Sequence, residues 1–223
     1  MPVRNTVLSI DEFYHLYSRG VDKRPIFLDD DDRNRFVRLL YICNGLEPLN
    51  YRNTKKLKLS DFETGNKLVA IGAYCLMPNH FHILVKEVSE GGIVKYMSKL
   101  LTAYSSYFNK KYERTGALFG SEFKSEHANE DTYLRYLFAY IHLNPVKLID
   151  PEWRNKQTDT EVVKSFLKRY QYSSFLDYVD ESRDERLILN KQAFPAYFTD
   201  SSDFLTQMHD WLSTDIYQGP ALV

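Results

Sequence analysis

The chain has few cysteines and no long apolar run. Its 223 residues include only two cysteines, Cys43 and Cys75, which cannot form a disulfide framework and lack the close pairing typical of a structural zinc site. No segment reaches the roughly eighteen apolar residues that a membrane span needs, and the N-terminus lacks the basic region and apolar core of a signal peptide. We therefore expect a cytoplasmic protein that does not enter membranes.

The sequence also lacks a large excess of charge of either sign. The formal net charge is −1, which does not by itself indicate a nucleic-acid-binding protein. The total conceals an asymmetry, because residues 1–150 carry 21 basic and 18 acidic side chains, whereas residues 151–223 carry 8 and 12. The 43% of hydrophobic residues suffices for one substantial core. We predict one main domain at 1–150 and an acidic, partly helical C-terminal extension at 151–223.

The segment between Gly91 and Lys124 is clearly basic. Lysine and arginine neutralise backbone phosphates whatever the base sequence, so this segment is a candidate surface for nucleic acid. A solvated helix face is the alternative, and charge alone makes it the commoner explanation. The candidate side chains are Lys95, Lys99, Lys110, Lys111, Arg114 and Lys124.

The spacing of apolar residues predicts an α+β fold. Strands are predicted within 13–19, 68–76, 80–86, 119–127 and 187–189, helices within 29–43, 93–112, 131–144, 162–170 and 202–212, and a polar loop at 49–67. The order of these elements indicates a largely antiparallel sheet with helices packed on one face, the other face remaining partly open. Because Asn144 precedes Pro145, we expect it to leave helical geometry and end the third helix.

Two histidines flank one phenylalanine in the run YCLMPNHFHILV at 74–85. Alternate side chains of a strand share a face, so His80 and His82 would lie on one face and Phe81 on the other. The β-branched and aromatic neighbours favour a strand. The pattern predicts two metal ligands on rigid structure, although an isolated pair of this kind more often forms ordinary hydrogen bonds.

A second run, YIHLNPVK at 140–147, places a phenol and a carboxamide one helical turn apart. Tyr140 and Asn144 would share a helix face, while His142 would point elsewhere. Two imidazoles and an amide oxygen form a mixed donor set that suits Mg²⁺ or Mn²⁺, with Zn²⁺ or Co²⁺ as alternatives. On periodicity alone, Tyr140 is better explained as a packing residue, as are Tyr133 and Tyr136 of the same helix. Asn144 is also explained as an amide that ends the helix.

Both runs resemble the two signature motifs of the IS200-like single-tyrosine transposases, especially the branch associated with repetitive extragenic palindromes (REP). The runs YHLYSRGVDKRPIF at 14–27 and GALF at 116–119 resemble that family as well. This resemblance covers roughly residues 10–150. It implies a ferredoxin-like, RRM-like sheet and an enzyme that cuts and rejoins single-stranded DNA beside hairpins with one tyrosine and a His-hydrophobe-His (HUH) metal site.

The resemblance also implies roles for individual residues. His80 and His82 match the metal ligands, Tyr140 matches the nucleophile that forms a 5′-phosphotyrosine, and Asn144 takes the place of a third ligand that is often glutamine in other branches. The implied cofactor is Mg²⁺ or Mn²⁺. The implied partner is single-stranded hairpin DNA, bound by a monomer or homodimer, and DNA beside the hairpin would be contacted by Arg19, Lys23 and Arg24.

Two other functions remain open from the sequence. A domesticated protein could bind hairpin DNA without productive transposition, although the intact motifs do not favour the loss of chemistry. An RNA-binding, RRM-like module would need exposed aromatic residues on adjacent strands and no metal, and Tyr14 and Tyr17 are weakly compatible with it.

Overall fold

The computed structural model describes residues 7–46, 57–153, 159–179 and 182–213. The strands within these ranges are β1 (Phe13–Arg19), β2 (Val69–Met77), β3 (His80–Glu87) and β4 (Lys124–His127). The α-helices are α1 (Asp30–Ile42), α2 (Gly92–Lys111), α3 (Asp131–Leu143), α4 (Thr160–Leu167), α5 (Phe175–Val179) and α6 (Ser201–Ser213). None of the helices in these ranges is long and apolar enough to cross a membrane.

The four strands form one antiparallel sheet in the order β2-β3-β1-β4. β2 and β3 form the predicted hairpin, and β1 lies between β3 and β4. The first six elements follow the order strand, helix, strand, strand, helix, strand, which is that of a ferredoxin-like fold. The predicted α+β class and antiparallel sheet are therefore confirmed.

Both faces of the sheet are covered by helices. Helices α1 and α2 pack on the face that carries Leu16 and Phe81. Helix α3 packs on the opposite face, which carries Cys75 and Leu84. The face that we expected to be partly open is thus closed by α3. This helix is buried on almost all sides because it lies between the sheet and the C-terminal extension, so it has no solvated face.

Three local predictions differ from the structure. The third helix ends at Leu143, as expected, but Asn144 keeps helical angles (φ −55°, ψ −38°). The chain continues into a 3₁₀ helix, Asn144–Leu148, whose first turn tolerates Pro145 because no N–H donor is needed there. The predicted strand at 187–189 is wrong, since Asp184–Ile188 forms a 3₁₀ helix. Of the predicted loop, residues 49–56 lie outside the described part, and the rest contains a 3₁₀ turn at Leu59–Asp61.

The C-terminal extension pairs with the outer edge of β2. The Leu76 N–H donates to the Tyr172 carbonyl at 2.9 Å, and the Ser174 N–H donates to the Tyr74 carbonyl at 3.0 Å. An uncovered edge strand would present unpaired backbone groups to other chains. The extension therefore completes the edge of the sheet.

The same extension packs on the outer side of α3. Phe175 of α5 and Phe204 of α6 are buried in one cluster with Leu143 of α3 and with Val146. Helix α3 is consequently held from both sides, by the sheet and by the extension. This arrangement limits how far the side chains of α3 can move relative to β3.

Replacing Ser174 with alanine should destabilise this junction. The buried Ser174 Oγ accepts the Tyr74 N–H at 2.9 Å and lies 2.8 Å from Nε2 of His142 on α3. The variant would leave two buried polar groups without a partner, at about 1–3 kcal/mol each. We expect the free energy of unfolding, measured with urea, to fall by about 2–4 kcal/mol. Ser165→Ala, at an exposed position of α4, should change it by less than about 0.5 kcal/mol, and equal effects of the two variants would contradict the prediction.

Candidate active site

Two histidines of β3 project from the sheet toward α3. The ring centroids of His80 and His82 lie 4.9 Å apart, with an angle of 87° between the planes. His82 is fully buried and His80 is 7% exposed. Phe81 points to the opposite face, where its ring lies 4.9 Å from that of Phe36 in α1. The predicted sharing of faces along this strand is confirmed.

Helix α3 brings Tyr140 to the same histidines. The Tyr140 ring lies 5.3 Å from His82 and 5.9 Å from His15, in edge-on contact with both. Tyr136, the neighbouring tyrosine on α3, has its ring 5.8 Å from Tyr140 and 5.8 Å from Trp211 of α6. A strand and a helix that are about sixty residues apart in sequence therefore meet at Tyr140.

Three potential metal-donor atoms in this region are buried without a hydrogen-bond partner among the described residues. They are Nε2 of His80, Nε2 of His82 and Oδ1 of Asn144. Buried polar atoms are usually paired, so these three have the capacity to bind a further species. Two imidazole nitrogens and an amide oxygen suit a divalent cation. No group of three His, Cys, Asp or Glu side chains in the described ranges could hold a metal, so Asn144 would be needed as the third donor.

Hydrogen bonds orient both imidazoles. Nδ1 of His80 lies 2.7 Å from Oδ1 of Asn79; because an amide oxygen only accepts, Nδ1 carries the proton and Nε2 keeps its lone pair. Nδ1 of His82 lies 2.9 Å from Nε2 of His15. Such a contact from the second ring nitrogen is the usual way in which proteins orient a ligating histidine. From the sequence, His15 could approach the site but was better explained as a structural residue; the pairing of β1 with β3 brings it to His82.

Burial keeps these histidines neutral. It lowers the pKa of His15 and of His80 to about 3 and that of His82 well below the ordinary value. The positive charges of Arg19 and Lys147 lower the pKa of His80 and His82 further. A neutral imidazole is the form that binds a metal. The environment of these histidines therefore favours the form that can bind a metal ion.

Acid should therefore destabilise the fold. The pKa values of His15, His80 and His142 are lowered to about 3, below the unfolded value of about 6.5. Under pH 6.5 the unfolded chain binds more protons, so the free energy of unfolding falls by about 1.4 kcal/mol per pH unit for each histidine. Burial raises the pKa of Asp177 to about 6, so the folded chain binds one more proton there than the unfolded chain between about pH 4 and 6. In that range Asp177 offsets the loss of stability caused by about one of the three histidines.

Urea unfolding without metal, compared at about pH 7 and about pH 5, measures this slope. We expect the protein to be clearly less stable at the lower pH. Equal stability at both values would show that the buried imidazoles do not remain neutral in the folded chain.

Some of the predicted DNA-contacting residues lie on the histidine side of the sheet. Arg19 is opposite His80 in the β1–β3 register, and Lys124 is opposite Tyr17 in the β1–β4 register. The loop after β1 contacts the β2–β3 turn through the Lys23 carbonyl, which accepts Nδ2–H of Asn79 at 2.9 Å. Lys23 is exposed, as is Arg24 beside it. Arg19 and Lys124 thus lie on the histidine face, and Lys23 and Arg24, which form the rest of this basic rim, lie beside the turn that precedes His80.

The basic residues of α2 lie on the other side of the sheet. Lys95 and Lys110 are exposed there, and the Lys99 ammonium donates to the Gly45 carbonyl. The Lys111 ammonium lies 2.7 Å from the carboxylates of both Asp29 and Asp32, so it joins the C-terminus of α2 to the start of α1. The structure does not bring these lysines to the histidines.

Arg114 follows α2, and its guanidinium lies 5.5 Å from the Phe108 ring. It too belongs to the α2 side of the sheet, because Phe108 is part of the core beneath that helix. The predicted basic surface is thus divided, with only Lys124 of that segment on the histidine side.

Comparison with known proteins finds similarities that include the part of the chain with these residues. A solved structure of a REP-associated tyrosine transposase bound to a REP hairpin covers 80% of this chain and 86% of its own, at 14% identity and a TM-score of 0.49. Comparison with curated proteins finds no significant match. Residues 57–144 match the family model described as IS200-like transposase, and this segment includes both histidines of β3, Tyr140 and Asn144. The segment 57–144, which carries the candidate site residues, is therefore similar to the IS200-like transposase family.

Proposed function

We propose that this protein is a metal-dependent tyrosine transposase that cuts and rejoins single-stranded DNA beside a hairpin. One observation carries the proposal: the Tyr140 ring lies 5.3 Å from that of His82, and Nε2 of His82 and of neighbouring His80 is buried with no hydrogen-bond partner among the described residues. A phenol beside a candidate cation site suits nucleophilic attack on phosphorus. The similarity of residues 57–144 to the IS200-like transposase family supports the transposase class, and the REP-type motifs in the sequence support a palindromic substrate.

The residues present fit a divalent metal ion. Nε2 of His80, Nε2 of His82 and Oδ1 of Asn144 would hold Mg²⁺ or Mn²⁺ and leave coordination positions for phosphate. When bound, the ion would polarise the scissile phosphate and offset negative charge on its oxygens.

The Tyr140 oxygen would attack the scissile phosphorus. A Tyr140–phosphorus bond forms as the bond from phosphorus to the 3′ oxygen breaks, the phenol loses its proton, and the released 3′ oxygen takes one up. The products are a 5′-phosphotyrosine and a free 3′-OH. Since the new phosphodiester retains the energy of the broken one, a second 3′-OH can attack it and rejoin DNA without a nucleotide cofactor.

The site favours a single strand over a duplex. Tyr140 is only 1% exposed, packed where α3 meets the sheet, a position that a rigid double helix would not reach. The rim formed by Arg19, Lys23, Arg24 and Lys124 would neutralise the backbone that leads to it. A hairpin could rest outside the site while its unpaired flank reaches Tyr140.

The test uses the whole chain, an end-labelled single strand with a hairpin, and Mn²⁺ or Mg²⁺. We expect a covalent protein–DNA species, linked to a 5′ end and stable in detergent, that is absent with EDTA and absent with the duplex form of the same sequence. If the protein binds the hairpin but forms no covalent adduct with any added metal ion, the result would favour a domesticated binding protein. Binding of RNA without metal dependence and without an adduct would favour an RNA-binding module.

A further inference from the structure

Two basic side chains reach the histidine–tyrosine cluster from different elements. Arg19 ends β1 directly opposite His80. Lys147 lies in the 3₁₀ helix that follows α3, with Nζ 5.8 Å from the centroid of the Tyr140 ring. Both residues are half-buried. The proposed function assigns no role to Lys147 and places Arg19 only on the rim.

The space between these two side chains is electropositive. The charged groups that most affect His80 and His82 are all basic, and Arg19 and Lys147 act on both imidazoles. Nε of Arg19 is buried and has no hydrogen-bond partner within the described residues. Glu126, an acidic residue on this sheet face, accepts hydroxyls from Tyr17 at 2.7 Å and from Tyr133 at 3.1 Å. Two basic side chains beside these imidazoles make this part of the site favourable for an anion.

We infer that Arg19 and Lys147 are catalytic residues that bind the non-bridging oxygens of the scissile phosphate from two sides. The inference rests on the proposed function, because the anion is the phosphate that Tyr140 attacks. Negative charge on these oxygens must be stabilised during phosphoryl transfer. A cation already fixed in a partly desolvated site stabilises that charge more than a mobile cation in water.

Lys147 is well placed for this role. The 3₁₀ helix starts immediately after α3, so the positions of Tyr140 and Lys147 are linked by one continuous segment of backbone. Arg19 is held by strand pairing instead. Nucleophile and cations are therefore preorganised by the fold, and removing one cation should cost about 10²–10³-fold in the rate of the chemical step, as for other fixed donors of this type.

The experiment compares two substrates in single-turnover reactions at saturating protein. One is the hairpin strand with an ordinary scissile phosphodiester, and the other carries a methylphosphonate at that position, which has no negative charge. Lys147→Gln should slow adduct formation by about 10²–10³-fold on the phosphodiester and by less than about threefold on the methylphosphonate. Arg19→Gln should show the same pattern.

Matched variants separate charge from structure. Lys147→Arg keeps the positive charge and should recover the rate to within about tenfold of the unaltered chain. Lys86→Gln removes one positive charge from the far end of β3, where Lys86 pairs with Asp11 at 2.8 Å, and should leave both rates unchanged. Circular dichroism identifies any variant that fails to fold, in which case the other glutamine variant decides.

Equal slowing on the two substrates would overturn the inference, because a residue that only supports the fold or holds DNA does not sense the charge of one phosphate. An adduct that needs Tyr140 but forms at the normal rate in both glutamine variants would overturn it too, while leaving the proposed function intact. If the unaltered chain forms no adduct, the proposed function fails and the inference fails with it.

Discussion

Replacing Tyr140 with phenylalanine should abolish the covalent protein–DNA species. The change removes one hydroxyl and keeps the ring that lies 5.3 Å from His82 and 5.9 Å from His15. The fold and the affinity for hairpin DNA should therefore stay the same. Because no other atom of this side chain can form the phosphotyrosyl bond, we expect the rate of adduct formation to fall by at least about 10⁴-fold. Denaturing gels of single-turnover reactions measure this directly.

Tyr136→Phe is the matched control for this experiment. Tyr136 lies on the same helix, with its ring 5.8 Å from Tyr140, and loses the same atom. It should keep the rate within about tenfold of the unaltered chain, since a non-reacting hydroxyl contributes little to the chemical step. An adduct that persists in Tyr140→Phe and disappears in Tyr136→Phe would make Tyr136 the nucleophile.

Replacing either histidine of β3 with alanine should remove both metal binding and chemistry. Each variant deletes one of the three proposed donor atoms, so the remaining pair would hold Mn²⁺ far more weakly. We expect adduct formation at limiting Mn²⁺ to fall by about 10³-fold and Mn²⁺ affinity, measured by calorimetry, to fall by at least about 10²-fold. His80→Ala is the cleaner variant, since His80 is partly accessible while His82→Ala also leaves Nε2 of His15 without its partner.

The control is His127→Ala. His127 is in β4, where Nε2 lies 2.7 Å from a Glu12 carboxylate oxygen, and it takes no part in the site. It should bind Mn²⁺ and form the adduct as the unaltered chain does. The metal assignment would be refuted if His80→Ala bound Mn²⁺ as tightly as this control.

The central sheet was predictable because its signals are local. Alternation along β1 and β3 follows from the strand period, and the run 74–85 therefore placed His80 and His82 on one face before any tertiary contact was known. The acidic start of α1 also followed a local rule, and the Asp29 carboxylate accepts the Asp32 N–H at 2.9 Å. Each of these features depends on residues a few positions apart.

The features that were not predicted depend on tertiary packing. The periodicity of α3 predicted an apolar helix but did not show which face of the sheet it covers. For this reason the sequence did not reveal that α3 closes the histidine face. It also did not reveal that the lysines of α2 lie on the other side of the sheet. Spacing alone did not distinguish Tyr140 from Tyr136; the matched motif and Asn144 one turn away favoured Tyr140, and the structure adds its contact with His82. The short apolar run at 187–189 lacked a second strand to pair with and formed a 3₁₀ turn with Ile188 buried.

Helix α3 lies between the sheet and the C-terminal extension, and this position opposes its exchange between two copies of the chain. One chain supplies both histidines of β3, Tyr140, Arg19 and Lys147. The segment that follows α3 is bound to the outer edge of β2. Exchange of α3 between two copies would break those edge hydrogen bonds and the aromatic cluster around Phe204 in each copy. The residues of the proposed site are thus held together by contacts within the same chain, on both sides of α3.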